Sequence, residues 1–203
     1  HHALRVATHD DEECDDGNVD DGDACDGDCQ GPAPTYCEAP HGGGSEELGY
    51  QWQMDSCQIG PRYEWPDMNW DARAHPQGNG IAYGDDTVRG PHPIGFTFNF
   101  YGQDYTQFWT DSNGTMFFAQ PTRSVYSSAR LPSATFPGVG IAAFWGDINA
   151  PNGRFKTIGN DGSRQLVYER QGQEYGNTTP VIYRIILEEG SNEITVLMQN
   201  AQY

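Results

Sequence analysis

Residues 94–101 read Ile-Gly-Phe-Thr-Phe-Asn-Phe-Tyr, with an apolar residue at every second position from Ile94 to Phe100. Ile94, Phe96, Phe98 and Phe100 therefore share one face of an extended strand, the period-two pattern of a sheet with one buried side. Residues 102–104 make a turn and 105–110 the next strand. Asp111-Ser-Asn-Gly114 then supplies the Asn-Gly step of a tight hairpin, whose central residues tolerate positive φ. Residues 115–119 return. Further strands are predicted at 140–145, 154–158, 165–170, 181–188 and 193–199, and no window carries a convincing helical apolar repeat. Strands at a spacing of roughly 8–15 residues, with turn residues between them, read as an all-β sandwich or barrel.

The other end of the chain is dominated by charge. Residues 10–29, DDEECDDGNVDDGDACDGDC, hold 11 of the 29 carboxylates and three of the five cysteines, with no basic residue. Like charges packed so closely repel unless a cation sits among them. Hard oxygen ligands in a Gly-punctuated loop select calcium, and the expected ligands are Asp15, Asp16, Asn18, Asp21 and Asp23 together with backbone carbonyls. The loop is not an EF-hand. Counting from Asp16 puts Asp21 where the glycine belongs and Gly27 where the closing glutamate belongs. A zinc site on Cys14, Cys25 and Cys29 would have no need of the carboxylates. A solvated acidic linker is the plainer alternative, and the closely spaced cysteines argue against it.

Cysteines at this density point to disulfides in an oxidising compartment. The pairing of Cys14, Cys25, Cys29, Cys37 and Cys57 is not fixed by sequence. A Cys37–Cys57 bond would staple the irregular stretch between them and leave three cysteines, one of them unpaired or bonded elsewhere.

Charge also excludes partners. The formal net charge is -18 and Lys156 is the one lysine, so a phosphate backbone is a poor partner and nucleic-acid binding is not expected. No apolar run approaches the ~20 residues that span a bilayer, so membrane insertion is not expected either. The chain starts at His1 without a charged or apolar leader, as expected of a mature or excised piece of a secreted protein. No HExxH, GxSxG, Walker or dinucleotide motif occurs, and none of the six histidines neighbours a plausible nucleophile. The chain reads as noncatalytic.

Several residues have two readings. Tyr63, Trp65 and Trp70 lie in a Pro/Gly-rich stretch. Exposed, Trp65 and Trp70 would form a sugar-stacking platform; buried, at least two of the three would close one end of the sandwich. Asp85-Asp86 and Asp147/Asn149 fit loop-capping turns better than a second metal site. Asn113 and Asn177 each open an Asn-x-Thr glycosylation acceptor, the first within the predicted hairpin tip.

In order along the chain stand Gly84-Asp85-Asp86, IGFTFNFYG from Ile94, DSNGTMFF from Asp111, Leu131-Pro132 and IAAFWGDIN from Ile141. Together these elements resemble the nidogen-like β domain of extracellular matrix and large bacterial surface proteins, over about residues 80–200. The resemblance implies a noncatalytic adhesive or structural module. The run Glu13-Cys14-Asp15-Asp16-Gly17-Asn18, with Asp21-Gly22-Asp23-Ala24-Cys25 and Cys29, resembles a Cys-rich repeat of secreted bacterial multi-domain proteins. That repeat is similar in turn to Notch- and pappalysin-type calcium-binding repeats. Such repeats carry a further cysteine upstream, where this chain has Ala3.

The expected fold is an all-β antiparallel sandwich with a small, loop-rich N-terminal module stabilised by disulfides and calcium. Residues 1–37 form a loose leader and the Asp/Cys-rich module, 38–80 an irregular connector packed on the sandwich, and 81–203 the nidogen-like sandwich. Nidogen-like domains run on beyond the position matched by Tyr203, so an end there leaves an unpaired strand edge. Either the sequence is cut short, or a neighbouring chain adds a strand and builds a filament. The expected function is adhesion or structural assembly outside the cell or at its surface, with other extracellular proteins or copies of the chain as partners. An accessory region of a larger secreted hydrolase, and a module binding polysaccharide, are the alternatives.

Overall fold

A computed structural model describes residues 2–7, 42–45, 49–55, 61–68, 79–149 and 152–199. The five cysteines and the proposed calcium ligands Asp15, Asp16, Asn18, Asp21 and Asp23 lie outside the described residues, as does Trp70. The described elements are all strands: β1 (His2–Ala7), β2 (Gly42–Ser45), β3 (Tyr50–Met54), β4 (Asn79–Ala82), β5 (Val88–Phe100), β6 (Gln103–Asp111), β7 (Thr115–Phe117), β8 (Gly140–Ala142), β9 (Ile148–Asn149), β10 (Asn152–Ile158), β11 (Gln165–Glu174), β12 (Pro180–Glu188) and β13 (Ile194–Gln199).

They form two packed antiparallel layers. The larger sheet runs β2-β3-β1-β13-β12-β11-β10-β4, with β9 pairing β11, and the smaller runs β5-β6-β7-β8. Every strand predicted from the 81–203 pattern is present. The alternation in β5 does what its period dictates: Ile94, Phe96, Phe98 and Phe100 are all buried, while Gly95 and Thr97 face out. They meet inward residues of the larger sheet, including Leu166 and Tyr168 of β11 and Tyr183, Ile185 and Leu187 of β12, in one continuous core.

The larger sheet is covered on its outer face as well. Met68, Val167, Ile186 and Leu197 form a second apolar cluster there, with Tyr63, Trp65 and Ile158 packed against it. This explains why β12 reads as a nearly unbroken apolar run, since a strand buried on both faces has no need to alternate. The segment 61–68 thus lies on the outer face of a sheet instead of closing the sandwich end.

The first residues differ from expectation too. His2–Ala7, read from sequence as part of a loose leader, pairs with β13 on one side and β3 on the other. The edge of β13 expected to be open is therefore occupied by β1 of the same chain. The signal was weak because six residues without strict alternation carry little pattern of their own.

Candidate functional site

One end of the sandwich holds a concentration of buried polar groups, built around the β6–β7 hairpin. Sequence chemistry predicts a tight Asp-Ser-Asn-Gly tip, and such tips ordinarily project into solvent. Here residues 111–118 are all buried. Gly114 has φ +93°, and a Cβ placed on it would stand 1.6 Å from the carbonyl oxygen of Phe144, so only glycine fits.

A buried turn must satisfy its backbone internally. The carbonyls of Asp111 and Ser112 accept from the guanidinium of Arg170, at 3.3 and 2.8 Å. Those of Asn113 and Gly114 accept from the backbone N–H groups of Gly146 and Phe144, both at 3.2 Å. The Asp111 carboxylate takes the N–H groups of Asn113 (3.1 Å) and Thr115 (3.0 Å) on one oxygen and the Ser124 hydroxyl (3.1 Å) on the other. The Asn113 side chain donates to Asp86 Oδ1 (2.7 Å) and Ser124 Oγ (3.1 Å) and accepts from the Ile148 N–H at 3.4 Å. Burial pushes the Asp111 carboxyl above its ordinary range, against the pull of the hydrogen bonds from Thr115, Ser124 and Asn113.

Arg170 links this tip to the larger sheet. It is fully buried, and its guanidinium lies 3.7 Å from the centre of the Tyr83 ring. The Tyr83 hydroxyl bonds with those of Thr110 and Tyr168, the latter at 2.9 Å. Burial drives the Tyr83 and Tyr183 phenols far up, so both stay protonated at any working pH. The sequence signal for Arg170 was available. Leu166, Tyr168 and Arg170 occupy alternate positions of β11, which puts the arginine on the inward face.

The outer face of the larger sheet carries a second polar group. Glu169 is buried between Arg184, whose Nε lies 2.6 Å from its carboxylate, and Arg154, with Gln171 donating at 2.9 Å. Arg184 also bonds the Pro66 carbonyl and stacks 4.1 Å from the centre of the Trp65 ring. Trp65, a candidate sugar platform by sequence, is half-buried and has a ring face taken by Arg184.

The two acceptor asparagines fare differently. Asn113 is 1% exposed and its side-chain nitrogen is fully engaged, so the folded chain does not present it for glycosylation. Asn177 lies exposed in the β11–β12 turn, where its side-chain oxygen accepts from the Thr179 N–H and hydroxyl. Asp85 and Asp86 form the expected turn, with Asp86 at φ 47°. Asp147 approaches them, and its pKa is raised first by burial and then by the charges of Asp86 and Asp85. Among the described residues no three His, Cys, Asp or Glu side chains converge to hold a metal ion.

The NIDO related family model matches residues 65–203, well over half of the chain and including both the hairpin tip and the Trp65 segment. The chain belongs to this family of nidogen-like domains. No curated protein and no solved structure matches it. NIDO-related domains are noncatalytic modules of extracellular type. The match begins fifteen or so residues ahead of the β pattern legible in the sequence, which agrees with 61–68 packing on the sheet. No helix of the described residues is long and apolar enough to cross a membrane.

Proposed function

We propose that this chain is a noncatalytic adhesive or structural module of an extracellular or cell-surface assembly. The observation that carries the reading is the family match over residues 65–203. The chemistry of the buried groups supports it. Asp111, Arg170, Glu169 and Arg184, the charged groups enclosed among the described residues, are engaged by backbone or opposite charge. A general acid or base needs a proton position open to substrate, and these groups are spent on holding the fold.

In this reading residues 10–29 are a stiffening unit in which Asp15, Asp16, Asn18, Asp21 and Asp23 take calcium and the cysteines form disulfides. Partners are other extracellular proteins or further copies of the chain. Strand addition by a second copy falls to β2, β4, β5 or β8, the outer strands of the two sheets among the described residues, because β1 already lies against β13.

Sedimentation velocity over a wide concentration range, in calcium and in chelator, tests both parts. Concentration-dependent association is expected. A strictly monomeric profile at high concentration counts against self-assembly. Thermal melting in the two conditions tests the metal: calcium several hundred-fold above its dissociation constant stabilises by roughly 3 kcal/mol through linkage. Superimposable melts would remove calcium from the proposal.

A further inference from the structure

Beside the buried hairpin tip lies a cavity of about 400 Å³, within the size range of small-ligand sites. Its wall includes Asp86, Arg123, Tyr126, Ser127, Ser128 and Thr135. Where the tip spends its polar groups, this wall keeps them. Arg123, Ser127 and Ser128 make no side-chain hydrogen bond or ion pair among the described residues, and Asp86 engages one carboxylate oxygen only. Tyr126 is 55% exposed and stacks on no other ring of the described residues.

The wall is nevertheless held firmly. The Ser124 hydroxyl donates to Asp111 and accepts from Asn113, and the next residue, Val125, accepts from the Trp145 indole N–H at 2.9 Å. Asp86 on the facing turn is bound by the same Asn113 side chain. Two segments far apart in sequence are thus fixed to one buried amide. A ligand meeting this wall finds Asp86 and the loop backbone at 124–125 fixed in advance, and the ordering left to binding is that of the exposed side chains.

The chemistry of the wall narrows the ligand. A phosphate or sulfate would meet Asp86, with Asp85 and Asp147 close by. A metal cation would meet Arg123. An apolar molecule would strand a guanidinium and several hydroxyls without partners. What remains is a neutral molecule that both donates and accepts hydrogen bonds along its edge and offers a C–H face to an aromatic ring. We propose that this cavity binds a saccharide, with Asp86 accepting from its hydroxyls, Arg123 and the serines donating, and Tyr126 covering one face. The proposal rests on the noncatalytic reading in one respect: the sugar is held and released unchanged.

The test is an array of neutral, amino and uronic oligosaccharides, with inorganic phosphate titrated separately by calorimetry. Retention of a neutral saccharide is expected, weakened by at least about tenfold in Tyr126→Ala and in Arg123→Ala. Both variants should melt with the parent protein, and Trp65→Phe, on the outer face of the larger sheet, should bind as the parent does. Retention of no saccharide overturns the proposal. So does retention that survives both substitutions, or that depends on Trp65, or phosphate binding tighter than sugar binding. A retained saccharide released in cleaved form would confirm the pocket and overturn the noncatalytic reading, so the two failures are distinguishable.

Discussion

The hairpin tip at 111–114 and the loop at 123–129 are neighbours hydrogen-bonded to each other through Ser124, yet they use polar residues in opposite ways. At the tip, a carboxylate, an amide and a guanidinium are enclosed; the carboxylate and the guanidinium bind the backbone of the turn, and the amide ties it to Asp86 and Ser124. In the loop, a guanidinium, two serine hydroxyls and a tyrosine ring are left without such duties. Removing a partner from the first region strands buried groups, whereas removing a side chain from the second exposes it to nothing but water. The same residue types are structural in one place and available in the other, and burial decides which.

The sharpest way to break that comparison is Gly114→Ala. The substitution demands φ +93° of an alanine and puts its Cβ on the Phe144 carbonyl. Neither side can yield, because that stretch of backbone is itself bound to the tip. A loss of more than about 4 kcal/mol is expected, enough to prevent accumulation of folded protein. Chemical denaturation giving a midpoint near that of the parent would show that the tip is not rigid.

Asp111→Ala should come next. It leaves the N–H groups of Asn113 and Thr115 and the hydroxyl of Ser124 without their acceptor in a buried site. About 3 kcal/mol of destabilisation is expected, and Asp111→Asn, which keeps an acceptor oxygen, should cost about 1 kcal/mol. The aspartate also carries a pH signature. Its folded pKa lies above the unfolded value, so its contribution is fully present below the unfolded pKa and is lost as pH rises through the folded one. Asp111→Asn should remove that slope from denaturation curves collected at mildly acidic pH. An unchanged slope would mean the carboxylate is not buried as described.

These two positions also mark how far the sequence could be read. The strands of the sandwich were legible because period-two alternation and Asn-Gly turns are local signals, and β5 carries both the pattern and its consequence. The hairpin at 111–114 was legible as a turn. Its inversion into the interior was not, because that depends on Arg170 arriving from a strand 59 residues away to satisfy Asp111. The strands β1 to β4 and β9 escaped notice for a related reason: they are short, and their pairing is settled by the sheet they join. The cavity wall at 123–129 reads in sequence as an ordinary polar loop. Nothing local says that Ser124 and Val125 are pinned while Arg123, Ser127 and Ser128 are not.

His92 gives a smaller test, at a half-buried position away from the tip. Its ring packs between Phe108 and Phe155, with centroids at 5.3 and 5.1 Å, and its Nε2 has no hydrogen-bond partner among the described residues. Burial lowers its pKa below the usual 6.5. Its contribution is therefore present above the unfolded pKa and lost as pH falls through the folded one. Between pH 7 and pH 5 a His92→Phe variant should lose less stability than the parent. Parallel curves for the two proteins would place the imidazole in water.

The smallest expected effect is the most telling for the comparison. Tyr126→Ala and Arg123→Ala remove two of the largest side chains in the loop, and by size alone they resemble the truncations that damage a core. Their melting should shift by no more than about 0.5 kcal/mol, because each side chain is exposed and neither carries a hydrogen bond or ion pair among the described residues. The anchors of the loop, Ser124 to the tip and Val125 to Trp145, remain in both variants. A destabilisation above about 2 kcal/mol in either variant would mean that the loop is built on these residues. The division between a tip that holds the fold and a loop that is free to bind would then fail.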